Sequence, residues 1–373
     1  MSDRRGDGAS SERTGGGRRR SLGAGYRPTL DGVRAVAVLA VMAHHFEPTF
    51  TGGFLGVDVF FVLSGYLITT LLVDEHDLRA HVSLGRFYAR RGLRLLPALL
   101  PLFALVTALW SLRPYPSTFG PVGSSLAVVA YVGNWIVAAN RDGLGYLSHT
   151  WSLAIEEQFY LLWPLAFIWS MRRATKARIG AWLFGLAALI GIVRAAGWLV
   201  LGTTALLYVT PTRADGLLLG CGLALVLRAL PRLPLWRVAR RPAVGWLALA
   251  TLLGLFVVTA EPEPFAYLGG MSVGVLAAGA LIAHLELTPM GVLGRILALQ
   301  PLPAIGRISY GLYLFHYPIA LYLYEQADRT PAGFGLKLGL SFAVATSSYL
   351  MVERPALRLK QYFRADAPAV ARA

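Results

Sequence analysis

The sequence predicts an all-α integral membrane protein with about ten transmembrane helices and both termini in the cytoplasm. Three observations carry that prediction. Of 373 residues, 55% are hydrophobic and 15% charged, with a mean hydropathy of +0.55, whereas a soluble chain carries about 25% charged residues. Eleven apolar runs of membrane-crossing length follow one another along the chain. The basic residues gather in clusters between those runs, as helix orientation in a bilayer requires.

Residues 1–27 are rich in Gly, Ser and Arg and contain no apolar stretch or cleavage pattern. They are expected to form a disordered basic cytoplasmic tail, leaving the first helix as an uncleaved anchor. The runs then cover 28–47, 53–73, 93–112, 119–139, 147–170, 178–200, 211–229, 242–260, 266–285, 303–325 and 333–352. Residues 28–357 read as one membrane domain and 358–373 as a second cytoplasmic tail. Charge decides which runs cross. With 119–139 held on the outer side and the N-terminus inside, 28 Lys and Arg fall inside and five outside (Arg113, Arg141, Arg213, Arg329, Lys337). If 119–139 crosses, every later loop changes sides and the two counts become nearly even. The orientation rule counts cations in short loops and ignores carboxylates. The segment 119–139, with Tyr131 and Asn134, is therefore expected to be re-entrant or outer-side.

The net charge of +15 would suit nucleic acid, but the cations are divided among loops and form no single patch, which argues against that partner. The single cysteine, Cys221, excludes an intrachain disulfide and a thiolate metal cluster, and its apolar surroundings predict a small buried residue. No metal site is expected. The histidines do not follow the helical spacing of paired haem ligands.

An ionisable group at mid-bilayer costs about 2.5–3.5 kcal/mol, so those inside the runs are candidates for chemistry. Arg34 and His45 are eleven residues apart. At ~100° per residue they share one helix face, roughly 16 Å apart, with His44 about a quarter turn away. His45 is the candidate general base, because an imidazole accepts a proton near neutral pH. His149, Ser152 and Glu156 share a stripe of the run 147–170. Either Glu156 or Asp58 is expected to orient the His45 ring and stabilise its imidazolium. Glu157, adjacent to Glu156, points elsewhere, toward a neighbouring helix or Arg.

Ser309, Tyr313 and His316 recur at i, i+4 and i+7, flanked by Tyr310 and Tyr317, tyrosines for which interface anchoring and function weigh equally. Arg213 and Asp215 open the run 211–229 at its outer end as candidate acceptor contacts. Gly216, Gly220 and Gly222 below them suit close helix packing. For Asp215 and Glu157 a buried charge pair that fixes packing is the competing reading. Glu353 beside Arg354 closes the last run, where pairing with a cytoplasmic Arg competes with function. Ser64–Gly65 reads as a packing feature, since no base is spaced to activate the hydroxyl. Arg86, Arg90, Arg91 and Arg94 crowd one cytoplasmic mouth, and the orientation rule alone accounts for them. A secondary transporter, using intramembrane charges for ion coupling, is the alternative class. The lack of an inverted repeat of the charged motifs stands against it.

These residues fall in a series of motifs: Arg34 with His45, GVDVFFVLSG (Gly56–Gly65), FYARRGLRLLP (Phe87–Pro97) and HTWSLAIEEQFYLLWP (His149–Pro164), then RADGLLLG (Arg213–Gly220), ISYGLYLFHYP (Ile308–Pro318) and VERP (Val352–Pro355). In that order, over roughly residues 26–357, the series resembles the membrane-bound acyltransferase 3 family. The resemblance implies transfer of an acyl group, expected to be acetyl, from cytoplasmic acyl-CoA to a hydroxyl. The implied acceptor is a carbohydrate, glycolipid or other glycosylated or lipid-like molecule, and the implied location is the plasma membrane, among membrane lipid. Acyl-CoA is then a co-substrate, with no permanently bound cofactor. The resemblance also makes Arg86, Arg90, Arg91 and Arg94 the seat of the CoA phosphates, which suit guanidinium forks. Direct transfer with His45 as base is favoured, with an acyl-histidine relay left open. No second domain is expected.

Overall fold

The computed structural model describes residues 26–47, 49–324 and 330–363. Among them every regular element is helical. The chain runs through α1 (Pro28–Phe46), α2 (Gly56–Arg79), α3 (Leu84–Leu112), α4 (Gly120–Val129), α5 (Gly133–Ala139), α6 (Trp151–Met171) and α7 (Lys176–Leu201). A short α8 (Thr210–Arg213) leads into α9 (Asp215–Ala229), then come α10 (Leu235–Ala239), α11 (Pro242–Val258) and α12 (Met271–Leu287). Two short helices, α13 (Val292–Leu297) and α14 (Leu302–Arg307), precede α15 (Ser309–Tyr322), α16 (Pro331–Ser348) and α17 (Arg354–Arg358). Among the described residues, five stretches are long and apolar enough to cross a membrane: Gly53–Arg79, Leu84–Leu112, Lys176–Leu201, Ala266–Leu287 and Pro331–Arg358.

The segment 119–139 breaks into helices of 10 and 7 residues at Tyr131, whose φ of 57° lies in the left-handed region and ends the helical ladder. Ten residues rise only about 15 Å, half the hydrocarbon thickness. The expected tails fall mostly on residues 1–25 and 364–373, outside the described residues. Of the C-terminal tail, Leu359–Phe363 form a 3₁₀ turn packed on α3.

The centre of the bundle is α2 lying against α9. Their backbones touch: a Cβ on Gly65 would stand 2.0 Å from the Leu217 carbonyl oxygen, and one on Gly220 2.1 Å from that of Val62. Within lipid there is no hydrophobic gain in bringing helices together, so such close dispersion contact holds them. Cys221 is buried in this seam, its Sγ 3.4 Å from the Gly65 carbonyl oxygen.

Two buried ion pairs cross the same region. Arg213 meets Asp58 at 3.0 and 3.1 Å, and Arg194 meets Asp215 at 2.8 Å. Arg194 also donates to the Thr212 carbonyl at 2.8 Å and to Ser272 Oγ at 2.9 Å. All four charged side chains are closed to solvent. This corrects one expectation, since Asp58 pairs with Arg213 and not with His45. Asp215 takes the buried pairing that competed with its acceptor reading, Arg213 is likewise paired, and Asp215 also lines a mostly apolar cavity between α7, α9 and α12. In a medium without water each charge is stabilised by the nearest fixed counter-ion, and the fold supplies one for each.

Candidate active site

One cavity of about 270 Å³ lies beside the N-terminal half of α3, between α1, α2, α6 and α15. Its α2 wall is apolar apart from Ser64 (Phe60, Phe61, Leu67, Ile68), and its other walls carry Arg34, Arg90, Arg91, Arg94 and Lys360. These cations are not equivalent. Arg91 is clamped by α6: Nη2 and Nε donate to Glu157 at 2.7 and 3.2 Å, and the guanidinium lies 3.5 Å from the Tyr160 ring centre. Glu157 thus holds a neighbouring Arg. Arg86 and Arg90 share Glu75, at 3.8 and 3.3 Å, and Arg86, unlike the other three, is not in the cavity wall. Arg34 donates to Ser309 Oγ at 3.3 Å. Arg94 has no hydrogen bond or ion pair to a described residue. A guanidinium left unpaired in a mostly apolar cavity attracts an anion strongly, because the local dielectric is low.

Glu156 belongs to this cavity as well. It accepts hydrogen bonds from Ser64 Oγ and from the Tyr160 hydroxyl (2.5 Å), and stands 3.6 Å from Arg91. Tyr310 lines the same space and donates to the Leu95 carbonyl at 3.3 Å.

A second cavity of about 250 Å³ lies at the other end of α1 and contains His44, His45, Ser148, His149, Trp151 and Tyr317. Val57 and Tyr313 line both cavities, so they form the partition between the two. The Tyr313 hydroxyl donates to the His149 carbonyl at 2.6 Å and is 2.6 Å from Ser152 Oγ. The shared face of Arg34 and His45 therefore runs from one cavity to the other.

The hydrogen-bond partners determine the tautomers in the second cavity. His316 Nδ1 faces the carbonyls of Leu312 (3.1 Å) and Tyr313 (2.8 Å), which only accept, so Nδ1 carries the proton and Nε2 a lone pair. That Nε2 is 3.1 Å from His45 Nδ1, which also faces the Val41 carbonyl at 3.0 Å. His45 Nδ1 is then the donor, leaving Nε2 as an unspent acceptor. His149 Nε2 donates to the Leu314 carbonyl at 3.1 Å, which leaves Nδ1 bare, buried and without a partner. The ring of His45 is oriented by His316, and neither Glu156 nor Asp58 touches it. Each carboxylate finds stronger donors on its own neighbours.

Glu353 lines neither cavity. It is buried against α15 and accepts from Ser348 Oγ at 3.3 Å, while Arg354 is exposed. Several lining residues escaped the sequence reading, among them residues that are charged or paired to a charge. Arg141 and Glu261 meet at 3.1 Å on the rim of the second cavity, and the Tyr208 hydroxyl donates to Glu261 at 3.4 Å. Lys360, in the first cavity, is another of these, and Asp142 also lines the second. Arg141, Tyr208 and Glu261 lie in connections with no periodicity, so nothing in their sequence context marks them.

The fold and the two back-to-back cavities define a class: a helical membrane enzyme with its polar groups gathered inside the bundle. The chain belongs to the acyltransferase 3 family of membrane-bound acyltransferases, whose family model, described as an acyltransferase domain, matches residues 27–350. It is 33% identical over 347 residues to the O-acetyltransferase OatA of Staphylococcus aureus, covering 88% of this chain and 57% of that protein. To the peptidoglycan O-acetyltransferase OatA of Listeria monocytogenes it is 33% identical over 350 residues, covering 88% and 56%. The putative peptidoglycan O-acetyltransferase YrhL of Bacillus subtilis is 36% identical over 348 residues, covering 88% and 55%. The chain thus spans a little over half the length of these curated relatives. No solved structure matches it. The comparisons do not favour the secondary-transporter alternative.

Proposed function

We propose that this chain transfers an acyl group, with acetyl as the expected case, from CoA in the arginine-lined cavity to a carbohydrate hydroxyl in the histidine-lined cavity. The observation that carries this reading is the pair of cavities meeting at Val57 and Tyr313, with an unpaired cation on one side and imidazole lone pairs on the other. The acceptor hydroxyl gives its proton to His45 Nε2 as its oxygen attacks the thioester carbonyl carbon. The tetrahedral intermediate collapses with cleavage of the C–S bond, and the departing CoA thiolate takes up the proton from the imidazolium. Arg34 and His45 are roughly 16 Å apart along α1, so the nucleotide and the acyl group lie at opposite ends of an extended pantetheine arm that passes the partition.

The aromatic rings of Trp151 and Tyr208 and the Arg141–Glu261 rim suit a sugar ring, which a space of about 250 Å³ accommodates. Two of the relatives are named for peptidoglycan, which makes a peptidoglycan hydroxyl the acceptor to test first. Replacing Arg94 by Ala is expected to raise the KM for acetyl-CoA about tenfold while leaving the acceptor KM unchanged. Arg94 is the informative choice because it has no hydrogen-bond or ion-pair partner among the described residues, whereas removing Arg91 would leave Glu157 unpaired. An unchanged KM in correctly inserted protein would overturn the donor site.

In this reading the chain spans the plasma membrane ten times, with the arginine-lined cavity cytoplasmic. The 28-to-5 charge division and the helix break at Tyr131 support that topology. Single cysteines placed at residue 175 and at the C-terminus, in a Cys221→Ala background, should both resist an impermeant thiol reagent until the membrane is opened. Labelling of just one of the two in sealed cells would sink it.

A further inference from the structure

We infer that Lys360 is a phosphate-binding residue of the donor cavity, carried into its wall by a C-terminal turn that closes on α3. The inference rests on the donor reading above but lies outside the family match, which ends at residue 350. After α17 the chain turns through Leu359–Phe363 and packs on α3, where Arg90 Nη1 donates to the Phe363 carbonyl at 3.0 Å. This places the Lys360 ammonium in the wall that holds Arg90, Arg91 and Arg94. Lys360 has no hydrogen bond or ion pair to a described residue. The elements packed against the turn bring Arg86, Arg90, Arg91, Arg94 and the neutral Tyr88 from α3, and Arg354 and Arg358 from α17, while the nearby carboxylate of Glu75 is taken up by Arg86 and Arg90. Across the cavity Glu156 is already engaged by Ser64 and Tyr160.

A cation held among cations raises the energy of the empty protein, and a phosphate offsets that repulsion. Burial, with Arg94, Arg91 and Arg90 nearby, pushes the Lys360 ammonium down to about 8. A bound phosphate favours the ammonium and raises that value again. The residue therefore supports donor binding below pH 8, and this support is lost as pH rises through 8 and above.

The test is the KM for acetyl-CoA of purified protein at about pH 7 and about pH 9, for wild type, Lys360→Ala, Lys360→Arg and Arg94→Ala. Wild type should show a KM several times higher at the alkaline pH. Lys360→Ala should have a KM about tenfold higher at the lower pH with little further change, and Lys360→Arg should keep a low KM at both. A wild-type KM in Lys360→Ala, beside a raised KM in Arg94→Ala, would overturn this inference and leave the donor site standing. Unchanged KM in both would remove the donor site itself. Persistence of the wild-type pH rise in Lys360→Arg would assign it to another group and overturn the role of Lys360.

Discussion

Replacing His45 by Ala is expected to lower acyl transfer by about 10²–10⁴-fold while leaving membrane insertion and acetyl-CoA binding near normal. The size follows from the role, since a positioned base that takes the acceptor proton contributes that much to the rate. The selectivity follows from the geometry. His45 Nδ1 is held by His316 Nε2 at 3.1 Å and by the Val41 carbonyl at 3.0 Å, so its Nε2 is the free lone pair. His44 lines the same cavity, but its Nδ1 bonds the Phe50 carbonyl at 3.1 Å and its ring meets that of His45 edge-on at 5.0 Å, with no imidazole hydrogen-bonded to it to set its orientation. His44→Ala should therefore be far milder. Replacing His316 by Ala should give an intermediate loss, because the base remains and its orientation does not. The measurement is acetyl transfer by the variants at matched membrane abundance. An active His45→Ala beside a dead His149→Ala would move the base to His149 Nδ1, a buried nitrogen without a hydrogen-bond partner.

Replacing Asp58 by Ala is expected to destabilise the protein by about 3–5 kcal/mol, enough to leave little folded material. Arg213 would keep its charge in a site with no solvent contact, left with Met271 Sδ at 2.8 Å and the rings of Phe61 and Trp151 at 5.8 and 5.6 Å, none of them an anion. The loss should be largely reversed by removing the partner as well: Asp58→Leu with Arg213→Met replaces two opposed charges by apolar volume. Thermal aggregation of detergent-extracted protein, followed by size-exclusion chromatography, reads both effects. Wild-type stability in the single variant would show that the pair is not what holds α2 to α8. The double variant also separates roles. Stability with retained transfer would confirm that Asp58 lies outside the chemistry.

Much of the candidate site was legible because its logic is local. Arg34 and His45 share a face because both lie on one continuous helix, and the eleven-residue spacing alone brings them into register. Arg90, Arg91 and Arg94 share one cavity wall for the same reason, while Arg86 falls outside it. Glycines at 65 and 220 announced close packing, and the backbones of α2 and α9 do touch there. The carboxylates were harder. Glu156 lies one residue from Glu157, and Asp58 opens α2 within reach of several helices. Helical phase gives a direction for each side chain but not the cation it meets.

The sequence by itself determined the helical membrane class, the family, and the residues that enter the polar interior, since apolar run length and helical periodicity are properties of a single segment. The tertiary structure decided how those residues are paired. It divided them between two cavities and gave Asp58 to Arg213, Asp215 to Arg194, Glu157 to Arg91 and His316 to His45. It also brought Lys360 from the chain end, and Arg141 and Glu261 from separate loops, into cavity walls. Such pairings join positions tens to hundreds of residues apart. In a medium without water each is selected by which counter-charge the packed backbones bring nearest, a quantity no local pattern contains.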